Sequence, residues 1–89
     1  MRKGRFELLV LIETESGEMV ETTFNAKEYR RKSHKETVES FLTMIEDNCQ
    51  SVAACIIDNE ENSIPALTAS TNEAAQLLRQ KAMERLARN

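Results

Sequence analysis

One stretch of the chain, residues 33–48, constrains the fold most because its apolar spacing fits only a helix. Ser33 and Glu36 have the S-x-x-E spacing of a capping box, which predicts that the helix begins at Ser33. A helix with one apolar face needs an apolar surface to pack against, and the segments on either side of it are the candidates. The apolar residues of the helix form one stripe at helical intervals: Val38, Phe41, Leu42, Ile45 and Cys49.

Asn25 is a second possible start for this helix, because Asn25 and Glu28 repeat the capping spacing. A continuous helix over residues 26–48 would be about 34 Å long, whereas a strand of about six residues spans only about 20 Å. One end of such a helix would project past a sheet and would carry cations in line with the apolar stripe. The other possibility is a kink or loop before Ser33, and the sequence leaves both open.

Two strands precede the helix, separated by a Ser-Gly turn at positions 16–17. Residues 6–12, FELLVLI, are apolar on both faces, which predicts a central strand. Residues 19–24, MVETTF, place Val20, Thr22 and Phe24 on one face and more polar side chains on the other. This second strand is therefore predicted to be half exposed and to lie at an edge of the sheet.

Two further strands and a second helix follow. Residues 51–58, SVAACIID, are apolar on both faces and are predicted to form the second central strand. Residues 63–69 resume a strand pattern after a polar turn, and Pro65 places this strand at an edge because proline has no N–H for the ladder. The cap residues 70–72 then precede strong helix formers over residues 73–88. The inner stripe of this helix is predicted to be Ala75, Leu78, Ala82 and Leu86.

The order of elements is β-β-α-β-β-α, which predicts a single α+β domain over residues 1–89, with residues 1–5 as a flexible basic N-terminus. A right-handed crossover from the second strand to the third places the third beside the first. The predicted sheet is therefore four-stranded and antiparallel, in the order 2-1-3-4, with both helices on one face. Because monomers seldom leave an apolar patch exposed, we expect a homodimer, formed through the uncovered face or an edge strand. The uncovered face would expose either the complementary apolar row, if the registers differ, or this one: Leu9, Leu11, Ala53, Cys55 and Ile57.

The sequence lacks the residue patterns of catalytic and metal sites. Cys49 and Cys55 have a C-x5-C spacing that matches no zinc or redox motif, so both are interpreted as small apolar residues in a reducing cytoplasm. His34 is the sole histidine, and no nucleophile stands near it in a catalytic order. No run reaches the roughly 18 apolar residues of a membrane span. We therefore expect no enzyme, metal, cofactor or membrane contact, and an enzyme with a reactive cysteine is the third hypothesis.

The net charge of −3 is unevenly distributed. Residues 27–35 hold five cations against one glutamate, a local net charge of +4, which leaves −7 for the rest of the chain. Such separated charge favours oriented docking and fast encounter with a partner more than it adds affinity. The five cations are the predicted partner-binding residues: Lys27, Arg30, Arg31, Lys32 and Lys35.

The first hypothesis for the function is a small, non-catalytic interaction or regulatory protein, an accessory protein that binds another protein. The alternative is nucleic-acid binding through the same basic segment, in which Tyr29 would supply one ring for stacking on a base. One aromatic residue is a poor stacking platform, and a pI of about 5.2 is unlike that of a dedicated nucleic-acid binder. Composition therefore favours a protein partner.

Overall fold

The structure is a computed structural model that describes residues 4–25 and 33–88. Along these residues the elements follow the predicted order, and a short 3-10 turn, Glu46–Asn48, comes after the first helix. The strands and helices are β1 (Phe6–Glu13), β2 (Met19–Asn25), α1 (His34–Ile45), β3 (Ser51–Asp58), β4 (Ser63–Ala69) and α2 (Asn72–Ala87).

The four strands form one antiparallel sheet in the order β2-β1-β3-β4, which confirms the predicted α+β class and strand order. In the middle of the sheet Val10 stands between Thr22 of β2 and Ala54 of β3. The β1–β2 register is regular over seven pairs, whereas the β3–β4 register shifts between Ile56 and Asp58. As predicted, β1 and β3 are the central strands, and β2 and β4 are the two outer ones.

The start of α1 resolves the two alternatives. The Ser33 hydroxyl accepts a hydrogen bond from the Glu36 N–H at 3.1 Å, so Ser33 is the N-cap, as predicted. Ser33 has an extended backbone with φ −68° and ψ 161°, and Asn25 is the last residue of β2. A continuous helix from residue 26 is therefore excluded, and with it the projecting cationic helix end; residues 26–32 lie outside the described part of the chain.

The two helices lie on opposite faces of the sheet, so the prediction that both share one face is wrong. The apolar stripe of α1, led by the buried Val38, packs on a row of central-strand residues: Leu8, Val10, Val52, Ala54 and Ile56. The second helix packs through Ala74, Leu78 and Ala82 on the complementary row: Leu9, Leu11, Ala53, Cys55 and Ile57. This second row is the one that was predicted to be exposed, and every residue in it is at most 2% accessible.

The physical reason for the opposite placement is that the handedness rule applies to only one helix. The helix α1 connects the parallel strands β2 and β3, so a right-handed crossover limits it to one face. The helix α2 does not connect two strands of this sheet and is free to cover the remaining apolar surface, a gain of roughly 25 cal/mol for each Å² buried. Within α2, Leu78 and Ala82 are buried as predicted, but Ala74 takes the place expected for Ala75.

An ion pair holds the chain ahead of β1 against the end of β3. Arg5, which the sequence placed in a flexible N-terminus, donates from Nε and one terminal guanidinium nitrogen to the two carboxylate oxygens of Asp58, each at 3.1 Å. The Asp58 carboxylate also accepts hydrogen bonds from the N–H groups of Glu60 and Glu61. The buried Asp58 carboxylate therefore fixes the start of the β3–β4 turn. Residues 1–3 lie outside the described range.

Candidate functional site

The outer strand β2 exposes apolar side chains on both of its faces. The helices α1 and α2 pack mainly on β3 and β4, and β2 lies at the far side of the sheet. As a result, Met19, Val20 and Phe24 are 45%, 40% and 46% accessible. We call the outer side of β2, together with these three side chains, the β2 edge.

The backbone of β2 points alternately towards β1 and away from the sheet, and one hydrogen bond shows which residues do which. The Thr14 N–H donates to the Glu18 carbonyl at 2.9 Å, so this is a hydrogen-bonded pair in the register that continues along the strands. Because hydrogen-bonded pairs alternate in an antiparallel ladder, Val20, Thr22 and Phe24 bond to β1. The intervening residues therefore direct their N–H and C=O groups outwards: Met19, Glu21, Thr23 and Asn25.

Side-chain contacts attach β2 to both helices without covering it. On the α1 face, the rings of Phe24 and Phe41 have centroids 5.9 Å apart. On the other face, Lys81 of α2 forms a 3.4 Å ion pair with Glu21. Each contact is weak, because a tilted aromatic pair contributes about 0.5–1.5 kcal/mol and an exposed ion pair at most about 1 kcal/mol. Together, one on each face, they fix the orientation of the strand. The strand is thus held in place, and among residues 4–25 and 33–88 no strand pairs with its outer side.

Of the five cations predicted to bind a partner, four lie outside the described residues: Lys27, Arg30, Arg31 and Lys32. Lys35 is described and lies in the first turn of α1, with its side chain 81% accessible. Its ammonium group is 4.0 Å from the Glu39 carboxylate, an i,i+4 pair on the helix surface. Only one of the five predicted cations is therefore among the described residues, and the role of the basic segment stays a prediction.

The two cysteines occupy different environments. Cys55 is fully buried under α2, and burial raises the pKa of its thiol to about 12, despite a small opposing effect of Arg79. Cys49 is partly buried; burial raises its pKa as well, followed by the nearby Glu46 carboxylate, and its thiol donates to the Ile45 carbonyl at 3.3 Å. A thiol with a raised pKa is a weak nucleophile at neutral pH. The expectation that both are interior is thus confirmed for Cys55 and only partly for Cys49.

His34 is the first residue of α1. Its ring is partly buried and lies 4.7 Å from the Phe6 ring, centroid to centroid. Among residues 4–25 and 33–88, no three side chains of histidine, cysteine or acid are grouped so as to hold a metal ion. In the same part of the chain, neither helix is long and apolar enough to cross a membrane.

Sequence reasoning identified β2 as an edge strand but did not recognise it as a candidate site. The signal was present, because residues 19–25 contain no proline, no lysine and only one charged residue, Glu21. Natural edge strands usually carry proline, lysine or a bulge that discourages pairing with another chain. Comparisons with protein-family models, with curated proteins and with solved structures found no match to this chain.

Proposed function

We propose that this protein acts by binding another protein, without catalysis, and that the partner adds an extended segment to the β2 edge. The observation that carries the proposal is the open outer side of β2, with outward backbone groups beside apolar side chains that are 40–46% accessible. In strand addition the main-chain hydrogen bonds supply affinity, and the side chains on alternate positions supply specificity. The β2 edge offers both outward main-chain groups and accessible side chains at alternate positions.

The side chains around β2 define the chemistry of the added segment. On the α1 face it would meet Val20, Thr22 and Phe24, which favour apolar or β-branched residues at alternate positions of the partner strand. On the α2 face it would meet Met19, Glu21 and Thr23, a mixed surface with one acid. A segment that alternates apolar and polar residues, with no proline, therefore matches β2 on both faces.

The basic segment supports the same function from its position in the sequence. It follows Asn25 directly, so a partner that pairs with β2 arrives next to the part of the chain with the highest density of cations. Acidic residues flanking the partner strand would be drawn there, which increases the rate of encounter more than the affinity. We therefore keep Lys27, Arg30, Arg31 and Lys32 as the steering part of the proposed surface. Lys35 is left out, because it lies beside Ala66 and Leu67 of β4, at the opposite edge of the sheet.

The proposal is tested by capture from native lysate, with and without nuclease, using the wild-type protein as bait. Thr23→Pro is the test variant, because the Thr23 N–H points away from β1 and its loss removes no hydrogen bond from the sheet. Asn72→Pro is the matched control: it introduces the same residue at the exposed first position of α2, where proline is tolerated. Circular dichroism is used to check that both variants are folded.

The expected result is one stoichiometric protein bound to wild type and to Asn72→Pro, and lost from Thr23→Pro. In the complex, hydrogen exchange at the Glu21 amide should slow, since that amide gains an acceptor. Equal capture by Thr23→Pro contradicts the β2 edge as the site. Recovery of nucleic acid alone, lost from an Arg30→Glu, Arg31→Glu variant, would support the alternative function instead.

A further inference from the structure

We infer that the segment added to β2 is the β2 strand of a second copy of this chain, paired antiparallel and centred on Thr22. This inference rests on the proposed function and names its partner. Two copies related by a two-fold axis bury the same strand on each side, and the four-stranded sheets join into one continuous sheet. The register of β1 and β2 decides which backbone groups of β2 point outwards.

The two-fold axis restricts how the strands can align. An antiparallel pair of identical strands has its axis perpendicular to the sheet, so a residue on the α1 face stays on the α1 face in both copies. Residues directly opposite one another must therefore belong to the same face. Only alignments centred on a residue satisfy this condition, and the alignments with substantial overlap are those centred on Glu21, Thr22 or Thr23.

Charge selects among the three alignments. Centring on Glu21 places the two Glu21 carboxylates directly opposite each other, and like charges in that position destabilise a strand pair. Centring on Thr23 moves Val20 beyond the strand of the second copy, so its apolar side chain has no partner there. Centring on Thr22 avoids both problems and is the alignment that uses all residues of β2.

The alignment centred on Thr22 makes β2 self-complementary. Val20 lies opposite Phe24 of the second copy, an apolar pair that occurs twice by symmetry, and the two threonines at the centre face each other. Glu21 lies opposite the uncharged Thr23. The pairs made by Met19, Glu21, Thr23 and Asn25 are the ones whose N–H and C=O groups point outwards, so each of these pairs can exchange both of its hydrogen bonds.

The charges beyond the ends of β2 are complementary in the same alignment. Antiparallel pairing places Asn25 of one copy opposite Met19 of the other, next to the turn that precedes Met19. That turn contains the acids Glu15 and Glu18, both exposed, with Glu13 just before it. The basic segment 27–35 follows Asn25, with its net charge of +4. In sequence, therefore, the chain before Met19 is acidic and the chain after Asn25 is basic.

The test measures the dimer dissociation constant by sedimentation equilibrium for charge variants at position 23. In the proposed alignment, Thr23→Lys places a cation opposite Glu21 of the second copy, and Thr23→Glu places an anion there. Each change acts twice by symmetry, so we expect the lysine variant to bind more tightly and the glutamate variant more weakly, each by roughly two- to thirtyfold. Thr43→Lys and Thr43→Glu are the controls, since Thr43 is an exposed threonine on α1, and their constants should equal that of wild type.

Thr23→Pro provides a test that does not depend on charge. It removes an outward donor from each copy and should weaken the dimer by roughly tenfold or more. A dimer that Thr23→Pro leaves unchanged would place the interface elsewhere, and a dimer weakened equally by lysine and glutamate would exclude the alignment on Thr22. A wild-type protein that is monomeric at high micromolar concentration overturns the inference. If that monomer still captures a different protein that Thr23→Pro loses, the proposed function holds without a second copy.

Discussion

The two outer strands of this sheet differ in how they are protected. The strand β4 contains Pro65, its register against β3 is irregular, and both helices pack against it. The strand β2 contains no proline, pairs with β1 in a regular register and exposes three large apolar side chains. Protection against pairing with other chains is usually built into edge strands. It is present on β4 and absent from β2, and the proposed function requires such an unprotected edge.

Helix dimensions explain why one edge is left open. Four strands about 4.8 Å apart place the axes of the outer strands roughly 14 Å apart, whereas a helix with its side chains is about 10–12 Å wide. One helix on each face cannot cover all four strands. Both helices are displaced towards β3 and β4, so β2 is the strand left least covered on both faces of the sheet. The difference between the edges is therefore a consequence of where both helices pack.

The largest expected effect is a loss of stability from a substitution in α2, which packs mainly on β3 and β4. Leu78 of α2 is fully buried against the sheet, so Leu78→Ala should lower the free energy of unfolding by about 2–5 kcal/mol through lost transfer energy and a residual cavity. Urea denaturation measures the loss. Glu84→Ala, at an exposed position of the same helix, is the control and should change stability by less than about 0.5 kcal/mol. A small effect of Leu78→Ala would mean that the β4 side of the sheet is packed no more tightly than the β2 side.

Phe24→Ala on β2 should have a smaller effect on folding than Leu78→Ala. The Phe24 side chain is 46% accessible and contacts Phe41, so we expect a loss of about 1–2 kcal/mol. The measurement is urea denaturation at a protein concentration low enough for wild type to be monomeric, because association would add to apparent stability. A loss as large as that of Leu78→Ala would show that β2 belongs to the core and is not an open edge.

Acid should destabilise the turn that leads into the protected edge. Hydrogen bonds from Arg5 hold the pKa of Asp58 below its usual value, against the opposing effect of burial. A carboxyl whose pKa is lower in the folded state stabilises the fold above its unfolded-state pKa, and this contribution is lost as pH falls through its folded-state pKa. Denaturation of wild type and Asp58→Asn across the acid range measures it. The difference between the two proteins should shrink as the pH falls, and a constant difference would contradict the role of the ionised Asp58.

The smallest effect concerns individual amides of β2, measured in Thr23→Pro at a concentration at which sedimentation shows a monomer. The Thr22 amide bonds to β1, whereas the Glu21 amide points outwards, so hydrogen exchange should be faster at Glu21 than at Thr22. NMR exchange rates at these two neighbouring residues make the comparison within one strand. Equal protection in the monomer would mean that another part of the chain already occupies the outer side of β2.

Much of the fold follows from local pattern. The strands over residues 51–58 and 63–69 have the predicted bounds, because their alternation and the turn between them are encoded within a few neighbouring residues. The Ser33 cap was predicted for the same reason. The candidate site was less accessible to sequence reasoning: Thr23 and Glu21 look like ordinary exposed strand residues, and only the register shows that their backbone groups point away from β1.

By itself, the sequence determined the element types, the strand order and which residues are apolar enough to need burial. It predicted that Leu9, Leu11, Ala53, Cys55 and Ile57 require a cover. Only the tertiary structure decided that α2, and not a second copy, covers them, because local pattern does not say which face a terminal helix packs on. The same packing, with both helices displaced towards β4, is what leaves β2 uncovered. The apolar surface to be buried was thus encoded locally, and the choice of what buries it depended on contacts between distant parts of the chain.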